Sequence, residues 1–423
     1  MSFSLRNPQL AKELRHLRLP WIGAVAAGSL LAVRPLVEGE GLETLLMAIV
    51  LYGFFGGLAL VAVVSFGGEF QEHTWALLLT QPVPRSQLWK KKLLLVIIAV
   101  VAALLVEGLV LATVSSWYSG SELWDALLRT FSVQGLGLAA VFILATVCSC
   151  GYWTLVAGSI IGGLVFTIAI QVITAELVAL VWARVSNNPE PFGNSGLFPA
   201  LIIAGAIYSM LFLWLGRRKF LNYEVRATRF SESALRENGL QTKIAAWFGL
   251  VSTPGNKFLN FARKELMLLT PAVQLAAFFT ISWLVVLVIQ WQQHLAYLFD
   301  IFTCLYAPIT CLLAGCLSLG EEKVLGIDEA QLTLPLSPTL QWLLKLVVGA
   351  FGAALLSLGL PLLLFWGTGL VVDLSQSGLV GQNDNGKWQL VCICGLAFIL
   401  SFWAAAHVAN TVRAAITTVV GII

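Results

Sequence analysis

The segment GQNDNGKW, from Gly381 to Trp388, resembles a phosphate-binding loop, the kind of site that holds ATP. Such a loop reads GxxxxGK followed by Ser or Thr, whose hydroxyl binds magnesium, and it joins a strand to a helix. Trp388 stands where that hydroxyl is needed, and apolar runs flank the segment. We therefore expect no nucleotide site here and no ATP hydrolysis by this chain alone.

The residue types that bind metals or nucleic acids give no pattern of their own. The four histidines are isolated, no HExxH motif occurs, and the seven cysteines fall in apolar runs without a CxxC pair. A basic stretch at 217–256 could indicate nucleic acid, but beside so many apolar runs it favours anionic lipid or a protein partner. We expect no metal, no nucleic acid and no catalytic residue.

Two carboxylates, Glu107 and Glu176, stand inside apolar runs. A carboxylate within a membrane is costly, so it should face the bundle interior, water or a partner. Two interpretations stay open, a structural hydrogen bond and a polar feature of a substrate path.

The composition is that of a protein dissolved in lipid. Of 423 residues, 58% are hydrophobic and only 11% are charged, and the mean hydropathy is +0.87. A soluble domain is about a quarter charged, so a soluble enzyme, a secreted disulfide scaffold and a disordered chain all fit poorly. We predict an all-α polytopic membrane protein.

Ten apolar runs are long enough to cross a membrane, and a shorter eleventh runs from Asn410 to Ile423. The runs span about 20–37, 44–66, 93–115, 135–156, 158–183, 197–216, 271–290, 296–319, 343–367 and 389–407. With a cytoplasmic N-terminus, 21 of the 25 Lys and Arg residues fall inside and four outside, as the positive-inside rule requires. A cleaved signal peptide at the first run is the less simple alternative, since nothing soluble follows it.

The chain carries an internal repeat. Lys12-Glu13-Leu14 matches Lys264-Glu265-Leu266 at an offset of 252, and loop 67–92 matches loop 320–345 at an offset of 253. Six spans lie within one offset, which predicts two parallel six-span halves, 1–217 and 256–423, joined by a basic cytoplasmic linker, 218–255. The second half holds only four to five spans, so we expect about 65 further residues after Ile423, with a degenerate second half as the alternative.

Two kinds of segment should lie at the cytoplasmic surface. Residues 5–19 and 258–270 are amphipathic and should lie in the interface with their cations near phosphate. Those cations are Lys12, Arg15, Arg18, Arg263 and Lys264. In each loop a proline should stop a short helix and present carboxylates to the cytosol: Glu69, Glu72 and His73 in one, and Glu321, Glu322, Asp328 and Glu329 in the other.

The loops resemble those of the ABC transporter type-2 permease family. The resemblance rests on a carboxylate, a helical stretch ending at a Leu-x-x-Pro step, and a basic residue opening the third span. It covers nearly the whole chain, and its residues are Glu69, Leu79, Pro82, Arg85 and Lys92, then Glu322, Leu332, Pro335 and Lys345. Pro338 departs from the pattern, since it stands where the first loop has Arg85.

The resemblance implies a function and a partner. In that family two six-span halves form one translocation path, and separate ATPase subunits dock on the first cytoplasmic loop and the N-terminal helix. We therefore expect a permease subunit of an ATP-driven exporter in a prokaryotic inner membrane, with ATP and magnesium on the partner. The coupling residues would be Glu69, Glu72, Pro82, Arg85, Lys92, Glu322, Glu329, Pro335 and Lys345.

Two other functions stay open. An ion-coupled secondary transporter would use Glu107 and Glu176 as proton sites, and its transport would follow the proton gradient rather than ATP. A membrane enzyme or assembly scaffold would need a polar catalytic cluster at one membrane face, and no such cluster is evident in the sequence. The substrate is not readable from the apolar spans.

Overall fold

The structure is a computed structural model of the full chain, and it is all helical in the part that it describes. The described residues are 8–31, 33, 50–71, 74–75, 83–117, 133–186, 197–223, 257–289, 295–325, 337–369, 384–408, 411, 414, 415, 417 and 418.

Six helices belong to the first predicted half. They are α1 Pro8–Ser29, α2 Gly56–Gln71, α3 Arg85–Trp117, α4 Val133–Ala157, α5 Ile160–Ser186 and α6 Leu197–Leu221. A short π-helical turn, Leu51–Phe55, leads into α2. These helices are mostly apolar, except for the charged first half of α1, and their interior prolines are Pro20 in α1 and Pro199 near the start of α6. A backbone in lipid must satisfy its own hydrogen bonds, so apolar runs become helices.

Six further helices belong to the second predicted half. They are α7 Lys257–Leu268, α8 Thr270–Ile289, α9 Leu295–Leu325, α10 Pro338–Ala354, α11 Leu360–Gly369 and α12 Asp384–His407. A π-helical turn, Leu355–Gly359, joins α10 to α11. The described positions of the partial eleventh run, 411, 414, 415, 417 and 418, are also helical.

The prediction that 135–183 crosses the membrane twice agrees with the break between α4 and α5. Gly158 adopts a φ of 65°, which a residue with a side chain rarely adopts. Ser159 then caps α5, because its Oγ accepts a hydrogen bond from the Gly162 amide at 3.0 Å. The chain therefore ends one helix and starts the next within two residues.

Eight of the described helical segments are long and apolar enough to cross a membrane. They are Gly53–Phe70, Arg85–Val114, Leu136–Ala157, Ile160–Ala179, Leu197–Leu221, Thr270–Leu287, Pro338–Thr368 and Leu390–His407. Eight of the ten predicted spans thus have a counterpart. The predicted span 20–37 falls partly in α1, and 296–319 falls in α9, whose apolar part, Tyr306–Gly320, is shorter.

Large apolar side chains point outward from these helices. Met210 is 76% exposed, and Leu105 and Trp366 are each 69% exposed. Water would not favour such a surface, whereas lipid tails would. The fold is therefore that of an all-α polytopic membrane protein.

Small residues let the helices approach closely. A Cβ added to Gly315 of α9 would lie 2.8 Å from the Phe398 carbonyl oxygen of α12, so only glycine fits there. The two predicted halves meet where α5 packs on α8, with the rings of Phe166 and Phe278 centred 5.1 Å apart.

The prediction of a surface helix followed by a separate span is wrong for the first half and agrees with the structure in the second half. In the first half both form one helix, α1, with Pro20 inside it. In the second half a turn at Leu269 separates α7 from α8, and Pro271 lies in the first turn of α8, where proline is well tolerated. Pro20 removes only one backbone donor, and Trp21 holds the helix by donating from Nε1 to the Ala99 carbonyl at 2.9 Å.

Candidate functional site

The first ion cluster is formed by Lys12, Glu13, Glu69, Thr74 and Lys92 at one end of the helices. Lys92 Nζ lies 2.5 Å from Glu13 Oε1 and 3.7 Å from Glu69 Oε1, so it bridges the two carboxylates. Lys12 Nζ lies 3.3 Å from the other oxygen of Glu69, to which Thr74 Oγ1 also donates. Each carboxylate in this cluster therefore has a cation beside it.

The cluster joins three elements, since its charges come from α1, the end of α2 and the start of α3. Glu69 is 6% exposed and Lys92 is 4% exposed. Lys92 also donates to the Ser65 carbonyl of α2 at 2.8 Å. Charges this deeply buried remain ionised only when paired and hydrogen-bonded, so the contacts hold the three helices together.

The second ion cluster is formed by Lys264, Glu265, Glu322 and Lys345. Lys264 Nζ donates to Glu322 Oε1 at 2.6 Å, and Lys345 Nζ donates to Glu322 Oε2. Glu322 is 2% exposed and Lys345 is 6% exposed. These residues lie on α7, the end of α9 and α10, so the cluster again joins three helices.

The two clusters use positions that the sequence repeat pairs. Lys12 and Glu13 correspond to Lys264 and Glu265 at the offset of 252, and Glu69 and Lys92 correspond to Glu322 and Lys345 at 253. In both clusters the lysine of the N-terminal helix and the lysine after the loop converge on the carboxylate before the loop. This correspondence is consistent with the repeat, which itself stays a prediction.

Glu265 distinguishes the second ion cluster from the first. It is 3% exposed, and neither of its carboxylate oxygens has a hydrogen-bond partner among the described residues. Burial raises the pKa of Glu265 to about 7, against the opposing attraction of Lys345 and Lys264. Burial likewise lowers the pKa of Lys264, against the attraction of Glu265.

The prediction that the loop carboxylates face the cytosol is wrong for Glu69 and Glu322, which are buried. Glu69 lies on the last turn of α2 and Glu322 on the last turn of α9, where lysines from two neighbouring helices reach them. A direct contact of these two carboxylates with another protein is therefore excluded in this arrangement. Glu72, His73, Pro82, Asp328, Glu329 and Pro335 lie outside the described residues, as does the side chain of Glu321.

Arg85 has a contact that the sequence did not suggest. Its Nη1 donates to the carbonyls of Leu221 at 2.9 Å and Tyr223 at 3.0 Å, at the C-terminal end of α6. The last carbonyls of a helix have no partner within the helix, so a cation stabilises them. Arg85 thus fastens the start of α3 to the end of α6.

An aromatic group packs beside this contact. Trp75 stacks on Phe70 with ring centroids 4.7 Å apart, and it meets the edges of Phe220 at 5.7 Å and Tyr223 at 5.4 Å. Trp75 is 5% exposed. The start of the first loop is therefore anchored both to α2 and to the end of α6.

The predicted interfacial cations divide into two groups. Lys12 and Lys264 belong to the ion clusters, whereas Arg15 and Arg18 are exposed on α1, as expected for contact with lipid headgroups. Arg263 belongs to neither group: it is half-buried, and its Nε has no hydrogen-bond partner within the described ranges.

The intramembrane carboxylates lie elsewhere and contact different serines. Ser29 Oγ of α1 donates to Glu107 Oε1 at 3.4 Å, within the first half. Ser282 Oγ of α8 donates to Glu176 Oε2 of α5, across the contact between the predicted halves. Each of these bonds is the structural pairing that the sequence left open, and neither rules out a role in a substrate path.

Sequence reasoning missed Glu13 and Glu265 as members of the ion clusters. Their signal was present, because both belong to the repeated Lys-Glu-Leu segment that sets the offset of 252. Scarce charges that recur at equal spacing in an apolar chain indicate shared contacts. Thr74, Ser29 and Ser282 gave no comparable signal.

These helices and buried charges define a polytopic membrane protein with two buried ion clusters in its helix bundle. Residues 40–178 match the protein family described as ABC-2 family transporter protein. The match covers less than half of the chain; over this region the chain is similar to the ABC-2 transporter family, and the match supports a permease of an ABC-type transporter. Members of this family are non-catalytic membrane components that normally work with ATPase partners. Comparisons with curated proteins and with solved structures gave no match.

Proposed function

We propose that this chain is the membrane subunit of an ABC exporter, with its N-terminus in the cytoplasm of a prokaryotic cell. It forms the substrate path and couples to separate ATPase subunits through loops 67–92 and 320–345. ATP and magnesium are bound by the partner, and this chain performs no covalent chemistry. The excess of Lys and Arg on the N-terminal side supports the orientation.

The observation that carries the proposal is the burial of an ion cluster at the start of each loop. Lys92 bridges Glu13 and Glu69, which joins the N-terminal helix to the helices before and after the loop. Removing one partner of a buried pair costs about 3–5 kcal/mol, so the three helices move as one body. A push on the loop therefore displaces whole spans.

The role proposed for the residues of the ion clusters differs from the one expected from the sequence, which was contact with the ATPase at the surface. Glu69, Lys92, Glu322 and Lys345 transmit force from inside the protein. Arg85 extends the same body to α6, because it holds the carbonyls of Leu221 and Tyr223. The surface that an ATPase touches is left to the loop residues between, among them Glu72, Pro82, Glu329 and Pro335.

The test uses the chain together with the ATPase that co-purifies with it. In the double variant Pro82→Ala/Pro335→Ala, the loop helices lose their stop. We expect ATP hydrolysis to continue while substrate-dependent stimulation and transport fall at least about tenfold, because a tenfold change needs only about 1.4 kcal/mol of lost coupling. Membrane insertion should be unchanged.

The matched control is Pro199→Ala, an exposed proline at the other end of the first half, in the first turn of α6. It should leave both stimulation and transport at the wild-type level. Unchanged coupling in the double proline variant would refute the assigned role of the loops. If no ATPase co-purifies with the chain or is stimulated by it, the exporter function is refuted as a whole.

A second candidate function is an ion-coupled secondary transporter. It is favoured by Glu107 and Glu176, two carboxylates on membrane-crossing helices, and by the absence of a partner for Glu176 Oε1. In that case transport would collapse with the proton gradient and would not depend on ATP. Glu107→Gln and Glu176→Gln would then abolish transport while leaving ATP hydrolysis by any co-purified ATPase unchanged.

A further inference from the structure

Glu265 is a buried carboxylate to which none of the described residues donates a hydrogen bond. It is 3% exposed, and both its oxygens lack a hydrogen-bond partner in the part of the chain that the structure describes. Its counterpart in the first ion cluster, Glu13, accepts a hydrogen bond from Lys92 at 2.5 Å. An ionised carboxylate buried without donors is strongly unfavourable, whereas a protonated one is not.

The charged groups around Glu265 come from three helices. Lys264 and Arg263 lie beside it on α7, Glu322 lies on α9, and Lys345 lies on α10; α8 carries no titratable residue. Among these described side chains, both lysines of the ion cluster donate to Glu322. The arrangement therefore directs the cluster's two cations to one carboxylate and leaves the other without a donor.

In the first ion cluster, by contrast, one lysine contacts both carboxylates. There the lysine after the loop, Lys92, lies between two carboxylates, at 2.5 Å from Glu13 and 3.7 Å from Glu69. A lysine at this position is thus able to reach the carboxylate of the N-terminal helix and the carboxylate before the loop at once. Lys345 stands at the equivalent position of the second cluster.

We propose that Glu265 is a proton-binding site that sets the pairing of the second ion cluster. With the proton bound, Lys264 and Lys345 both pair with Glu322. When the proton leaves to water, Lys345 bridges Glu265 and Glu322, as Lys92 bridges Glu13 and Glu69. The proposal rests on the proposed function, because it assigns a regulation by pH to the contact that joins loop 320–345 to α7.

The direction of the pH effect follows from the position of Glu265. Its pKa is raised to about 7 by burial, above the ordinary value of a glutamate, so the folded protein holds a proton that the unfolded chain releases. The stabilisation from this proton is complete below about pH 4.5 and is lost as the pH rises through about 7. The first ion cluster has no comparable unpaired carboxylate.

The test is infrared spectroscopy of the purified full chain in lipid nanodiscs, as the pH is raised. We expect a protonated-carboxyl absorption at about pH 6 that disappears by about pH 8. Because Glu107 and Glu176 also lie in apolar surroundings, only the part of the absorption that Glu265→Gln removes is assigned to the site. Glu13→Gln, the matched substitution in the first ion cluster, should leave that part unchanged.

Thermal unfolding of the same samples gives an independent measurement. Between about pH 5 and about pH 8 the wild-type midpoint should fall by about 5 °C, and Glu265→Gln should make that fall smaller. A carboxyl absorption in the wild type that does not change over this range would overturn the proposal. The proposal would also be overturned if the carboxyl absorption of Glu265→Gln changed with pH as much as that of the wild type.

Should Glu265→Gln fail to fold, Lys345→Met is the second variant. Removing this cation should raise the pH at which the absorption disappears, because the attraction that favours ionised Glu265 is lost. An unchanged pH in Lys345→Met would contradict the proposal.

A final measurement separates this proposal from the proposed function. With the co-purified ATPase, the stimulation of ATP hydrolysis should change with pH in the wild type and should be flat in Glu265→Gln. Stimulation that is equally flat in both would overturn the regulation by Glu265. Absence of stimulation at every pH would refute the proposed function, and the infrared result would still decide whether Glu265 binds a proton.

Discussion

The two ion clusters are built from equivalent positions, yet they end in different states of pairing. In the first, one lysine bridges two carboxylates, and Thr74 and Lys12 complete the set. In the second, two lysines share Glu322, and Glu265 is left without a donor. The comparison teaches that a repeated set of charges fixes which residues meet, but not which pairs form.

The surroundings of the clusters explain part of the difference. Thr74 donates to Glu69, and the position 253 residues further on is Ile327, which has no hydroxyl. Arg85 holds the end of α6, and its counterpart is Pro338, which opens α10 and has no side-chain donor. The first cluster is thus supported from more sides than the second.

The largest effect should come from replacing the bridging lysine. Lys92→Met leaves Glu69 with Lys12 and removes the ion pair of Glu13, and we expect the free energy of unfolding to fall by about 4 kcal/mol. Lys345→Met should cost about half as much, because Glu322 keeps Lys264 and Glu265 had no bond to lose. Denaturation in mixed detergent micelles measures both values, and equal losses would remove the distinction between the clusters.

A smaller effect is expected at the end of α6. Arg85→Ala removes two charge-assisted hydrogen bonds to backbone carbonyls, which should cost about 2 kcal/mol. Hydrogen exchange of the amides near Leu221 should become faster, while exchange in α1 should not change. Pro338→Ala is the matched control at the equivalent position and should cost less than about 1 kcal/mol, since proline there only favours the start of a helix. Slow exchange near Leu221 in the Arg85 variant would show that other contacts hold this end.

The smallest effect is expected from the hydroxyl that only the first cluster has. Thr74→Val keeps the size of the side chain and removes its hydrogen bond to Glu69, which should lower the free energy of unfolding by about 1 kcal/mol. Thr280→Val is a suitable control, because this threonine donates only to the carbonyl of its own helix. A loss as large as that of Lys92→Met would mean that Thr74, and not the lysine, holds the cluster together.

The helices were predictable because lipid allows a long apolar run hardly any other structure. Eight of the ten predicted spans have a counterpart, and Gly158 marks the break between α4 and α5 at the boundary of the predicted runs 135–156 and 158–183. The similarity of residues 40–178 to the ABC-2 transporter family was also predictable, from the carboxylate, proline and lysine that recur around the two loops. The continuous helix through Pro20 was not, because whether a proline ends a helix depends on the neighbours that hold it.

The site was only partly predictable. The repeat identified Glu69, Lys92, Glu322 and Lys345 as equivalent, but the rule that charged loop residues face water placed the carboxylates on the wrong side. That rule fails where opposite charges from neighbouring helices meet, which depends on how α1 packs against α2 and α3. The contact of Arg85 with α6 joins residues far apart in sequence, and nothing local indicates it.

The unbroken α1 and the interrupted pair α7 and α8 have a mechanical consequence. Because α1 continues as one helix from its charged end into the apolar layer, a tilt of the helix at Lys12 tilts the segment around Ser29 by the same angle. A joint at Leu269 instead lets α7 swing while α8 keeps its direction. Equal movements of two identical ATPase subunits would therefore displace the membrane helices of the first half more than those of the second half.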